Sequence, residues 1–137
     1  MPGSGAPDAG IFVVGEAPGK WEEEKGVPFI GRSGKFLMEL FASIGIKRHD
    51  LFIANTVNCR PPDNRDPMID ELDACRHHIF DQLEVVNPKV VVSVGRFSSK
   101  VFFPQGTITD NHGKARWDGS RIYMAMYHPA AALYRQE

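Results

Sequence analysis

Four short apolar runs each stop at a polar side chain able to bind or react. Glu16 follows Ile11-Phe-Val-Val-Gly15, and Asn55, with Asn58 close behind, follows Leu51-Phe-Ile-Ala54. Arg96 follows Lys89-Val-Val-Val-Ser-Val-Gly95, and His128 follows Arg121-Ile-Tyr-Met-Ala-Met-Tyr127. If the runs are strands, these groups collect at carboxyl ends, where open α/β sheets bind ligands. A second chemistry is anion binding. Arg32 and Lys35 stand where a helical pattern begins, and a helix N-terminus with two cations can receive a phosphate. A third is metal binding. Cys59 and Cys75, with His77 and His78 nearby, read either as plain thiols or as a partial metal site. Their spacing fits no standard zinc motif.

These residues need elements to hold them. Ile11–Gly15 is β-branched and aromatic, as a short buried strand should be. It must end there, because Pro18 lacks an N–H and Gly19 favours a turn. Lys20-Trp-Glu-Glu-Glu-Lys-Gly26 reads as a loop or an irregular helical turn, with its glutamates as a solvated run. Val27 to Gly31 is extended. Phe36, Leu37, Leu40, Phe41 and Ile44 recur at helical spacing, with Ser33 as N-cap and Gly45 as the residue after the last turn. Asp50–Val57 is the second strand. The Pro-rich stretch to Pro67 is irregular, and a helix from about Met68 to Val86 follows. Lys89–Gly95 is apolar throughout and therefore central. Ser98–Phe103 is a short helix, Gly106–Gly119 a loop or irregular strand, and Arg121–Tyr127 the fourth strand. The alternation predicts an α/β fold: three layers, α/β/α, around a central four-stranded parallel sheet with right-handed crossovers.

Composition bounds the rest. The chain has 137 residues, enough for one domain with a real core, here taken as 1–137 with a flexible lead-in over 1–10. The formal net charge of −1 leaves a nucleic-acid partner dependent on a local basic surface. No apolar run approaches the roughly 18 residues of a membrane span. The first ten residues lack the basic and apolar regions of a signal peptide. Two cysteines without an export signal argue against a disulfide framework, and cytoplasm is the expected compartment. Gly31-Arg-Ser-Gly-Lys-Phe36 resembles part of a phosphate-binding Walker A loop. It fails because the pattern's first glycine falls at Phe29 and its Mg²⁺-binding hydroxyl at Phe36.

Four motifs in order carry a specific resemblance. Gly15-Glu-Ala-Pro-Gly19, Gly26-Val-Pro-Phe-Ile-Gly-Arg-Ser-Gly34, Asn55-Thr-Val-Asn-Cys-Arg-Pro-Pro62 with Asn64-Arg65, and His128-Pro-Ala-Ala131 resemble those of the family 4 uracil-DNA glycosylases. The resemblance spans about Ile11 to Leu133. It implies excision of uracil from DNA, the first step of base excision repair of deaminated cytosine. It also implies a [4Fe–4S] cluster held by four cysteines. Cys59 and Cys75 match two of them and the other two are absent here, so no bound cofactor is expected in this chain. The family's final helix is absent as well, which predicts a compact or trimmed form. A related branch that traps its product has an inserted basic loop with a histidine. This chain has Arg60-Pro-Pro-Asp-Asn-Arg-Asp-Pro67 instead, which implies free turnover.

The resemblance also implies roles. Breaking the N-glycosidic bond separates a cationic deoxyribose from a uracil anion, so the site needs a donor to O2, negative charge near the sugar and a positioned water. His128 would be the donor to O2 as a neutral imidazole. Glu16 would hold the water or stabilise the sugar. Ala17 would contact the base or phosphate through its backbone. Asn55 would pair with uracil N3–H and O4 and reject cytosine. Phe29 would stack on the base, and Glu22 would sit beside C5 and exclude thymine. Arg32, Arg60, Asn64 and Arg65 would meet phosphates, and Pro129 and Ala130 would wedge into the gap a flipped base leaves. Plainer readings stand beside these. Glu16 and Asn55 can cap turns, Phe29 can be core, and a histidine before proline can be a surface turn. The expected partner is uracil-containing DNA, single- or double-stranded, bound by a monomer. The alternatives are a non-catalytic glycosylase-like DNA-binding domain and a metal or redox sensor built on Cys59 and Cys75.

Overall fold

The computed structural model of the protein describes residues 3–17, 20–27, 29–56 and 68–129. In chain order the elements are β1 (Ser4–Gly5), β2 (Ile11–Gly15), α1 (Lys20–Lys25), α2 (Arg32–Ala42), a 3₁₀ turn (Arg48–Asp50), β3 (Leu51–Asn55), α3 (Ile69–Val86), β4 (Val90–Val94), α4 (Arg96–Phe102), α5 (Ile108–Asn111), β5 (Ala115–Trp117) and β6 (Ile122–Met126).

The strands form one sheet in the order β1-β3-β2-β4-β6-β5. The inner four are parallel, as the alternation of apolar runs and helices predicts. Two short antiparallel strands extend the edges. Neither has a readable sequence pattern: β1 is Ser-Gly, and all three residues of β5 are exposed. The supposed lead-in is thus partly built into the sheet. Gly3 N–H donates to Gln82 Oε1 at 2.9 Å, and Ala9 is buried.

Alternation along the strands divides the core. Phe12, Val14, Ala54 and Val91 point to one face, where α3 brings Ile79, Leu83 and Val86 and α4 brings Phe102. Val13, Ile53, Val92 and Val94 point to the other, where α2 brings Leu37 and Phe41 and Phe29 joins them. Right-handed crossovers explain the division. The step from β2 to β3 runs one way along the sheet, and the steps from β3 to β4 and from β4 to β6 run the other.

Local details depart from expectation at α2 and after α4. Gly31, not Ser33, is the N-cap of α2, without a side-chain cap bond. Gly34 is the reason. A Cβ there would lie 2.2 Å from the Phe29 carbonyl carbon, so the first turn packs directly on the preceding backbone. Gly45 is left-handed (φ 81°), and Ile46 N–H closes onto Phe41 C=O at 2.9 Å, the expected helix stop. Within 106–119, Thr107 and Asp110 cap each other reciprocally and start α5. Of the two readings of 20–26, loop or helical turn, Lys20–Lys25 takes the helical one. No helix among the described residues is long and apolar enough to cross a membrane.

Candidate functional site

Adjacent strands β2 and β4 send their chains to opposite faces of the sheet. That divergence opens a crevice at their carboxyl ends. β2 closes in Val-Gly at Gly15, β4 runs into the same pair with Gly95 just past its end, and each glycine lets a side chain from elsewhere rest on bare backbone.

Gly15 gathers two groups. A Cβ at this position would lie 2.6 Å from Phe29 Cζ and 2.7 Å from Asn55 Oδ1. The β2–β3 register makes Gly15 and Asn55 direct neighbours. The Gly15 carbonyl accepts from Thr56 N–H at 2.7 Å and from Thr56 Oγ at 2.8 Å, which pins the strand end. Asn55 is only 4% exposed, yet no described residue hydrogen-bonds its carboxamide. A buried polar group without a partner calls for an explanation, and a ligand is one.

Gly95 carries His128. A Cβ at Gly95 (φ 91°) would lie 3.5 Å from His128 Cβ and 3.6 Å from Cδ2. Gly95 N–H donates to Met126 C=O at 2.9 Å, tying the two strand ends together. The imidazole is half-buried, and burial pushes its pKa below the ordinary histidine value, which favours the neutral form. Its ring faces that of Phe29, with centroids 6.5 Å apart and planes 27° from parallel.

Phe29 is the unusual member. Its backbone is left-handed (φ 54°), although it is bulky and not glycine. Such a conformation costs of order 1–3 kcal/mol and persists only where the surroundings over-determine it. Those surroundings are Gly34 at its backbone, Gly15 at its ring, and the Arg48 guanidinium, which donates to its carbonyl. Burial lowers the pKa of Arg48 from its ordinary value.

The structure therefore brings Phe29, Asn55 and His128 together around two glycines. Glu16 and Ala17 continue directly from Gly15 and are half-buried. The Glu22 carboxylate lies against Gly31, with oxygens 3.4 and 3.5 Å from the Cβ position there. It thus stands at the N-cap of α2, where a negative charge is favourable. Arg32 and Lys35 are exposed on the first turn of α2. Arg96 is exposed at the start of α4, its guanidinium 4.8 Å from the Phe97 ring centroid. Pro129 is buried beside His128. Cys59, Arg60, Asn64, Arg65 and Ala130 lie outside the described residues.

Cys75 is half-buried on α3. Among the described residues the metal-capable cluster is His77, His78 and Asp81, all exposed, and Cys75 is not in it. A [4Fe–4S] cubane takes four thiolates. The two cysteines of these 137 residues do not complete that donor set.

Gly95 and Arg48 escape a reading of motifs alone, and the motifs containing Gly34 and Thr56 do not show what those two residues do. The repeated Val-Gly strand ending was the available signal for Gly95. Nothing in the local pattern points to Arg48.

Comparison with known proteins agrees with this architecture. A family model described as the uracil DNA glycosylase superfamily matches residues 2–137. The type-4 uracil-DNA glycosylase of Archaeoglobus fulgidus is 44% identical over 146 residues, covering 100% of this chain and 73% of that protein. Those of Sulfurisphaera tokodaii and Thermotoga maritima are 43% and 41% identical, covering 98% and 96% of this chain and 66% and 70% of theirs. The chain thus spans about two thirds to three quarters of the relatives' lengths.

Proposed function

The chain belongs to the uracil DNA glycosylase superfamily, and from that premise we propose that it hydrolyses the N-glycosidic bond of uracil flipped out of DNA. This is the entry step of base excision repair at deaminated cytosine. One observation carries the reading most: the buried Asn55 carboxamide, without a hydrogen bond from any described residue, beside the Phe29 ring and the bare backbone of Gly15. A uracil stacked on Phe29 would present N3–H and O4 to that carboxamide, which can accept from one and donate to the other. Cytosine presents the opposite pattern and leaves both partners unsatisfied.

The chemistry follows from the same residues. As the bond from C1′ to N1 breaks, its electron pair goes to uracil and negative charge spreads onto O2. A neutral His128 donates a hydrogen bond to that oxygen, inside a half-buried site where such a bond counts for more than in water. Glu16, next to Gly15, holds a water near C1′ and offsets the positive charge of the sugar. The water oxygen bonds C1′ and its proton leaves through the carboxylate or solvent, giving free uracil and an abasic site. Ala17 borders the base through its backbone, and Glu22 crowds C5. Arg32, with Arg60, Asn64 and Arg65, meets the phosphates, and Pro129 and Ala130 fill the space left in the stack. We take the protein to act as a cytoplasmic monomer on single- or double-stranded DNA.

The test is incubation with oligonucleotides carrying one uracil, single- or double-stranded, followed by alkaline cleavage. Scission at the uracil position is expected. An intact strand after long incubation with excess protein refutes the reading and favours a non-catalytic DNA-binding module.

A further inference from the structure

We propose that Arg48 is a positioning residue that fixes the Phe29 ring at the angle a stacked base requires. The inference rests on the pocket reading above. It starts from an outlier: a bulky, buried residue with left-handed backbone in the wall of the site. Conformations of this kind gather at ligand clamps, where the surrounding structure holds them.

Besides the core packing of its ring and the His128 ring, three features bear on the Phe29 backbone and ring position, and they are not equivalent. Gly34 and Gly15 act by having no side chain: a Cβ at either would overlap Phe29, at 2.2 and 2.6 Å. They leave room for the conformation without pulling the chain into it. Arg48 acts by attraction. Its guanidinium donates to the Phe29 carbonyl, and it sits in the 3₁₀ turn that leads straight into β3. That strand ends at Asn55, so one element anchors the stacking ring at its entry and presents the base-reading carboxamide at its exit. Arg48 is half-buried, which limits competition from water for the carbonyl. Without that bond, the backbone at residue 29 loses the one charged donor to its carbonyl among the described contacts and can relax toward right-handed or extended conformation, shifting the ring relative to Gly15 and His128.

The experiment is a double-mutant cycle on the full chain, measuring single-turnover excision, inhibition by free uracil, and urea unfolding. Arg48→Ala should lower excision and weaken inhibition by uracil, each about tenfold or more, since small misplacements in a site carry penalties of that size. Arg48→Lys, which keeps a donor to the carbonyl, should recover most of the loss. In a Phe29→Ala background, Arg48→Ala should have no further effect on either readout, because its action runs through the ring. A merely structural arginine would shift the urea midpoint and leave inhibition by uracil unchanged. Full excision and uracil inhibition by folded Arg48→Ala, or equal losses in the two backgrounds, would overturn the proposal. If Phe29→Ala itself excises at the parent rate, the pocket reading fails, and that outcome is distinct from the others. Should Arg48→Ala not fold, Arg48→Gln and Arg48→Lys carry the same comparison.

Discussion

The two ends of the parallel sheet use their polar groups in opposite ways. At the amino ends, Arg121 is bonded to the protein itself. Its guanidinium donates to Pro88 C=O at 3.0 Å, Asn87 Oδ1 at 2.9 Å and Leu83 C=O at 3.3 Å, closing the C-terminus of α3 with a positive charge. Asp118 accepts from Arg121 N–H at 2.7 Å and from both Ser120 donors, and these bonds hold its carboxyl well below the usual range. At the carboxyl ends, Asn55 is buried with no hydrogen bond to its carboxamide from any described residue, and His128 rests on a glycine. Among the described residues, Arg121 and Asp118 at one end are bonded to the protein, while at the other the Asn55 carboxamide has no such bond. On the proposed function, stability and recognition fall at opposite edges of the same strands.

Substitutions at the two ends should accordingly fail in different assays. The largest effect is expected at His128. His128→Ala should lower the excision rate about 10²–10³-fold, the usual loss for one donor to a developing oxyanion, with the urea midpoint nearly unchanged. An equal fall in stability would erase the contrast. Asn55→Asp should lose uracil excision and gain some on cytosine, measured on matched oligonucleotides, because the carboxyl reverses part of the pattern. Next comes Gly15→Ala, which forces a methyl into Phe29 and Asn55. Overpacking of this kind costs about 1–3 kcal/mol, so this variant should be weaker in both assays.

Arg121→Ala is the converse case. Losing charge-assisted bonds to three acceptors should destabilise by about 1–3 kcal/mol, read as a lower urea midpoint, while excision per folded molecule stays at the parent level. A loss of excision greater than the loss of folded protein would show that the ends are coupled. The smallest effect is on pH. His128 binds its proton less readily folded than unfolded, so the unfolded state takes up more protons below the ordinary histidine pKa. Stability should be full above about pH 6.5, fall as pH drops through the window down to the folded pKa, and then level off. His128→Gln should flatten that segment of the urea-midpoint profile; an unchanged profile would remove His128 as its source.

The sequence foretold the parts that repeat a physical pattern. Apolar runs such as Val90–Val94 can only be buried strands, and Leu37 and Phe41 share a helix face because their spacing demands it. Strand ends followed at once by Glu16, Asn55 and His128 were visible for the same reason. Hidden features were those set by tertiary contact. Ser4–Gly5 is a strand because β3 offers an open edge, not because serine and glycine favour one. Ser33 looked like a cap, but the approach of Gly34 to Phe29 moved the helix start to Arg32. The left-handed Phe29 could not be read at all, since its support comes from residues up to 19 positions away.

The pairing of Gly15 with Asn55 has a consequence for folding. These residues meet only because β2 and β3 align in one parallel register, closed across a long intervening segment. A slip of one position would set Ala54 or Thr56 opposite Gly15 and turn the carboxamide to the wrong face. Such non-local pairing forms late and slowly. Recovered excision during refolding would therefore act as a clock for strand alignment, marking the moment when the register is correct rather than when the chain has merely collapsed.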